Sequence, residues 1–163
     1  MIKLIFWDFD GTLADTIELV TGLFVKTASD YAGRAVTADE VRATFGLNER
    51  GTFRRLLGDQ ADQAFDDYLE YYIQAHNEIS VFPGVRELLR DLKLQGTRNI
   101  LVTGKGPECC EISLEKLKLM KLFDEIRPGF DDKADKAGEM LDAIEDFNVT
   151  PDQCVYIGDT VSD

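Results

Sequence analysis

The chain has 163 residues, 44% hydrophobic and 30% charged, which suits one domain, or a domain carrying an insertion, with enough apolar material for a core. Its formal net charge of −13 argues against nucleic acid and anionic membrane surfaces as partners, since both call for a basic footprint. No apolar run reaches the length of a membrane span, and charges interrupt the amino-terminal run by position 8. Cys109 and Cys110 are adjacent, so together with Cys154 they offer no disulfide framework, and a cytoplasmic protein with reduced thiols is expected.

The first element is the apolar run Ile2 to Trp7, broken only by Lys3, which reads as a central parallel strand covered on both faces. It gives way directly to Asp8-Phe9-Asp10-Gly11-Thr12-Leu13. Strand alternation points Asp8 and Asp10 to the same side, and ligands of open parallel sheets gather at the carboxyl ends of the strands. Residues from about 15 to 80 then show helical stretches only: Thr16 to Ala32, Thr37 to Phe45, Glu49 to Leu57 and Asp59 to Ile79. Thr37 and Glu40 have capping-box spacing. Pro83-Gly84 marks a return to α/β alternation, and Val85, Leu88, Leu89 and Leu92 form a helical stripe stopped by Gly96.

A second apolar run, Asn99 to Val102, ends in Thr103-Gly104-Lys105-Gly106. After a further stripe at Met140, Leu141, Ile144 and Phe147, a third run, Cys154 to Ile157, ends in Gly158-Asp159-Thr160-Val161-Ser162-Asp163. Three buried strands that each end in hydroxyl or carboxylate chemistry imply one sheet edge collecting Asp8, Asp10, Thr103, Asp159 and Asp163. Four carboxylates in one place need a cation, and hard oxygen ligands with water suit Mg²⁺. A hydroxyl and a lysine beside the metal suit a phosphate.

At these residues the sequence resembles the haloacid dehalogenase superfamily of phosphohydrolases. Asp8 to Leu13 matches its D-x-D-G-T-L motif, Thr103 its strand-terminal Ser/Thr, and Gly158, Asp159 and Asp163 its G-D-x-x-x-D motif, all in order. The resemblance implies a Rossmann-like parallel α/β core, residues 1–14 and 81–163, with an inserted all-helical C1-type cap over residues 15–80. It implies a phosphatase of small phosphorylated metabolites, similar to the phosphoglycolate phosphatase branch. The alternatives are a sugar phosphomutase with the same site and a catalytically impaired binding or regulatory member. Dehalogenation is disfavoured because Asp10 is present and a halide leaving group needs no acid. Similar proteins continue past the fourth motif for another strand and helices. Lower stability, weaker metal binding or self-association is therefore expected of the 163-residue form, through an exposed edge beside the third run.

Under this resemblance Asp8 is nucleophile and metal ligand, and Asp10 protonates the leaving oxygen, later activates water, and ligates the metal through its carbonyl. Asp159 and Asp163 complete the metal ligands. Thr103 and a lysine hold the phosphoryl oxygens, with Gly11, Thr12 and Gly104 beside them, Gly11 giving the backbone room to approach. The family's Lys-Pro is absent, which leaves Lys136, in the first turn of the Met140 helix, ahead of Lys133, with Lys105 third. His76, Trp7, Tyr68, Tyr71 and Tyr72 read as packing or surface residues. For Arg50, Arg54 and Arg55 the choices are a solvated face or contact with substrate from the cap.

Overall fold

A computed structural model of the protein describes residues 1–160. Four strands form one parallel sheet in the order β3-β2-β1-β4: β1 (Leu4–Trp7), β2 (Arg98–Val102), β3 (Glu125–Arg127) and β4 (Cys154–Ile157). β1 sits inside the sheet and is buried along its whole length. Its side chains alternate between faces as the two-residue period requires. Leu4 and Phe6 pack with Ile100, Val102 and Ala143, whereas Ile5 and Trp7 pack with Leu89, Leu101, Cys110 and Leu114. Helix α7 (Lys136–Asp146) therefore covers one face, and α5 (Val85–Leu94) with α6 (Pro107–Lys116) covers the other. The buried Asn99 would be costly in a strand, but it accepts from Trp7 Nε1 at 3.1 Å and donates to the carbonyls of Leu89 and Leu122.

Between β1 and α5 the chain is helical: α1 (Ile17–Ala32), α2 (Ala38–Arg42), α3 (Glu49–Leu57) and α4 (Ala61–Ala75). These helices enclose a core of their own around Phe24, Phe53, Phe65, Tyr68 and Tyr72, with Phe24 and Tyr68 stacked at 4.7 Å. The Thr37–Glu40 capping box forms at the start of α2. The helical group meets the α/β part through Cys109 and Ile112 of α6, which join its apolar core, and through polar contacts. Asn48 Nδ2 donates to the Gly129 carbonyl, Arg50 pairs with Glu108 at 3.0 Å, and Arg54 pairs with Asp131. Among the described residues no helix is long and apolar enough to cross a membrane.

Several details differ from the sequence expectation. β3 was not anticipated. It has three residues, lies at a sheet edge, and is fixed by Arg127, whose guanidinium reaches Glu125 at 2.7 Å and Asp146 at 2.6 Å. α2 stops at Arg42 because Thr44 turns its hydroxyl back onto the Val41 carbonyl at 2.7 Å. The last helix of the group starts after a 3₁₀ turn at Gly58–Gln60 and ends at Ala75, short of Ile79. Leu88 and Leu141 belong to the apolar stripes by spacing, yet they are exposed, while Leu89, Ala143 and their neighbours on the stripe face inward.

Candidate active site

The turn after β1 builds the site. The Asp8 N–H bonds the Ile157 carbonyl at 2.9 Å, which ties the end of β1 to the end of β4. The N–H groups of Leu13 and Ala14 then return to the Phe9 carbonyl, making a tight turn at Gly11 with φ +74°. Only glycine suits that turn twice over. The left-handed backbone disfavours a side chain, and a Cβ there would collide with the Asp159 carboxylate. Thr12 Oγ1 donates to Asp159 Oδ1 at 3.2 Å, so the first and last motifs are in contact.

Asp8 and Asp10 line one cavity of about 400 Å³ but have different partners. Asp8 is buried. Its Oδ1 accepts from the Phe9 N–H at 2.7 Å and its Oδ2 from Lys136 Nζ at 2.9 Å, and Lys136 also reaches Tyr156 OH at 3.1 Å. Burial pushes the Asp8 pKa above the usual 3.8, even though Lys136 and the Phe9 N–H pull it down. Asp10 accepts from Thr16 Oγ1 at 2.5 Å and from Lys105 Nζ at 3.0 and 3.1 Å. Lys105 is itself buried under Tyr72. Its ammonium is 4.0 Å from Glu49, whose carboxylate also takes the Gly106 N–H at 2.6 Å. Burial opposes the Lys105 charge, but Asp10, Tyr72 and Glu49 around it leave its pKa well above the ordinary value.

The three lysines weighed from sequence thus separate. Lys136 sits on Asp8, Lys105 sits on Asp10, and the exposed Lys133 sits on Asp135 at 2.6 Å. Gly104 and Asp159 line the cavity as well. Thr103 is buried and accepts the Lys105 N–H at 3.2 Å; it is not among the cavity-lining residues, and neither are Gly11 and Thr12. Asp163 lies outside the described residues. Sequence reasoning missed Glu49 and Thr16. The visible hint for Glu49 was an acidic residue directly behind the helix cap Asn48. Arg50 and Arg54 join the two parts of the chain, Arg55 is exposed, and none of the three lines the cavity. His76 is a packing residue, as expected: buried, with Nδ1 at 2.8 Å from the Tyr72 carbonyl and Nε2 at 2.9 Å from Ser113 Oγ.

Among the described residues no three Asp, Glu, His or Cys side chains form a cage for an ion. The donors at hand at the cavity are hard oxygens, the carboxylates of Asp8 and Asp159. That set fits an ion held by one or two carboxylates that keeps several waters, as Mg²⁺ does.

Comparison with known proteins shows the family of the chain. The family model described as "Haloacid dehalogenase-like hydrolase" matches residues 5–163. The chain is 27% identical to pyrophosphatase PpaX of Bacillus cereus, with 99% of this chain and 76% of that protein covered. It is 28% identical to phosphoglycolate phosphatase of Pseudomonas putida, again over 99% of this chain but spanning only 64% of that protein. Among solved structures, the haloacid dehalogenase-like hydrolase SP0104 of Streptococcus pneumoniae superposes with a TM-score of 0.72 at 26% identity, covering 98% of this chain and 77% of that one.

Proposed function

The chain belongs to the haloacid dehalogenase-like hydrolase family, and from that premise we propose that it is a Mg²⁺-dependent phosphatase of small phosphate monoesters working through an aspartyl-phosphate at Asp8. The observation that carries this reading is the division of labour between two carboxylates in one cavity, Asp8 on Lys136 and Asp10 on Lys105. A phosphate monoester is anionic and resists nucleophiles, so a site must neutralise charge and hold attacker and phosphorus in line. Asp8 supplies the attacking oxygen, with its carboxylate oriented by the Phe9 N–H and Lys136. Lys136 also neutralises a phosphoryl oxygen, while Thr103, which does not line the cavity, accepts the Lys105 N–H at the end of β2. Asp10, held by Thr16 and Lys105, gives a proton to the leaving oxygen and afterwards takes one from the water that attacks the acyl phosphate.

Asp8, the Asp10 carbonyl, Asp159 and Asp163 would hold Mg²⁺, which when bound supplies positive charge against the phosphoryl oxygens. The helical group serves as the cap that keeps bulk water from the cavity, and the enzyme acts in the cytoplasm, where its three free cysteines stay reduced. The names of the relatives, a pyrophosphatase and a phosphoglycolate phosphatase, support phosphoryl hydrolysis as the reaction class. The test is a screen of phosphorylated metabolites with Mg²⁺ on the protein and on Asp8→Asn. Phosphate release that vanishes in the variant while its circular dichroism is unchanged is expected; equal release from both proteins would overturn the reading.

A further inference from the structure

The helical group walls the cavity mostly with apolar side chains, apart from Thr52 and Glu49. Ile17, Val20 and Phe24 come from α1, and Phe45 and Leu47 from the turn between α2 and α3. The one charged side chain that the helical group adds to the lining, among the described residues, is an acid, the buried Glu49. Among the described residues the basic groups lining the cavity are Lys105 and Lys136, and both sit on the carboxylates at its reacting end. Four arginines of the helical group are paired elsewhere, Arg50 with Glu108 and Asp62, Arg54 with Asp131, Arg42 with Asp39 and Arg34 with Glu40, and the exposed Arg55 does not line the cavity.

From this wall we infer that the substrate is a phosphate monoester whose leaving group is uncharged and apolar, an alkyl or aryl alcohol, and not one bearing a second anion. The inference rests on the phosphatase reading above and narrows it. A carboxylate or second phosphate against this wall would lie on aliphatic and aromatic carbon, losing water without gaining a counter-charge, because Lys105 is already shared between Asp10 and Glu49. An apolar group there loses only unfavourable hydration. The cavity volume of about 400 Å³ lies at the small end of ligand sites, commonly roughly 300–1,000 Å³, so a branched alkyl or single-ring group suits it better than a nucleotide. A bisphosphorylated sugar, as a phosphomutase would bind, meets the same obstacle.

Isobutyl phosphate and phosphoglycolate have nearly the same shape and differ mainly in the charge at the far end, which makes them the discriminating pair. With Mg²⁺, kcat/KM for isobutyl phosphate is expected to exceed that for phosphoglycolate by roughly tenfold or more, the range in which one hydrophobic contact or one unpaired polar group discriminates. Calorimetry on Asp8→Asn, which separates binding from turnover, should rank the two ligands the same way. Phe45 is 48% exposed, so Phe45→Arg puts a cation on the wall without burying it, and it should move the preference toward phosphoglycolate. Turnover in which phosphoglycolate or inorganic pyrophosphate equals or beats isobutyl phosphate would overturn this inference and leave the phosphatase reading standing. If no phosphate ester is either bound or hydrolysed, both fall together.

Discussion

Replacing Lys105 by Met would remove the cation at the centre of the site while nearly preserving side-chain length. The Lys105 side chain is 1% exposed and faces Asp10 at 3.0 Å and Glu49 at 4.0 Å, themselves 21% and 5% exposed. Removing one partner of a buried ion pair costs about 3–5 kcal/mol, because the other charge is left uncompensated. Asp10 retains some contact with solvent, so the lower end, about 3 kcal/mol, applies here. For a chain of this size that is a fall in Tm of roughly 6–12 °C. The pH dependence has a definite sign. Burial, the largest influence, raises the Glu49 pKa above 4.5 against the pull of Lys105 and the Gly106 N–H. A carboxyl raised in the folded state contributes stability that is intact below its unfolded pKa and is lost as pH rises through the folded one. Lys105→Met raises that folded pKa further, so the deficit should be large near about pH 8 and shrink toward about pH 5. Thermal and urea melts of the protein, Lys105→Met, Glu49→Gln and the double variant measure this, and the double variant should recover part of the loss. A Tm fall under about 2 °C, unchanged with pH, would refute the reasoning, being far below the loss that an uncompensated buried charge produces.

Asp10→Asn should lower kcat by about 10²–10⁴-fold, with a larger loss for alkyl phosphates than for p-nitrophenyl phosphate, whose leaving group needs little protonation; a uniform loss under about threefold would contradict the acid–base role. Chelation should abolish phosphate release and Mg²⁺ restore it, while Ca²⁺, with longer and looser ligands, should inhibit; full turnover in EDTA would remove the metal from the account. Gly11→Ala forces a side chain into φ +74° and against Asp159. It should destabilise by about 1–3 kcal/mol and weaken Mg²⁺ binding, and an unchanged melt with unchanged Mg²⁺ titration would contradict the tight-turn argument.

The strands that carry chemistry were legible because each is an apolar run ending abruptly in polar residues, and β1, β2 and β4 lie where those runs are. β3 was not, since Glu125-Ile126-Arg127 holds a single aliphatic residue and owes its place to ion pairs made from distant α7. Helical spacing gave the direction of the buried faces but not their width, which is why Leu88 and Leu141 were counted inward and are exposed. At the site, Asp8, Asp10 and Lys136 line one cavity. The weight of Lys105 was underestimated for a physical reason. Its burial depends on Glu49 and Tyr72, from α3 and α4, closing over the start of α6, and such contacts between distant segments leave no periodic or spacing signal. Thr16 was likewise read only as a helix start, yet its hydroxyl is spent on Asp10.

The covalent step at Asp8 is open to direct trapping. Acid quenching during turnover of a substrate carrying radiolabelled phosphate should leave label on the protein that is released by hydroxylamine, as an acyl phosphate is. Borohydride reduction before digestion should yield homoserine at the position of Asp8 in the peptide mass spectrum, and Asp8→Asn should carry no label. Label recovered at any other residue, or turnover retained by Asp8→Asn, would contradict the account.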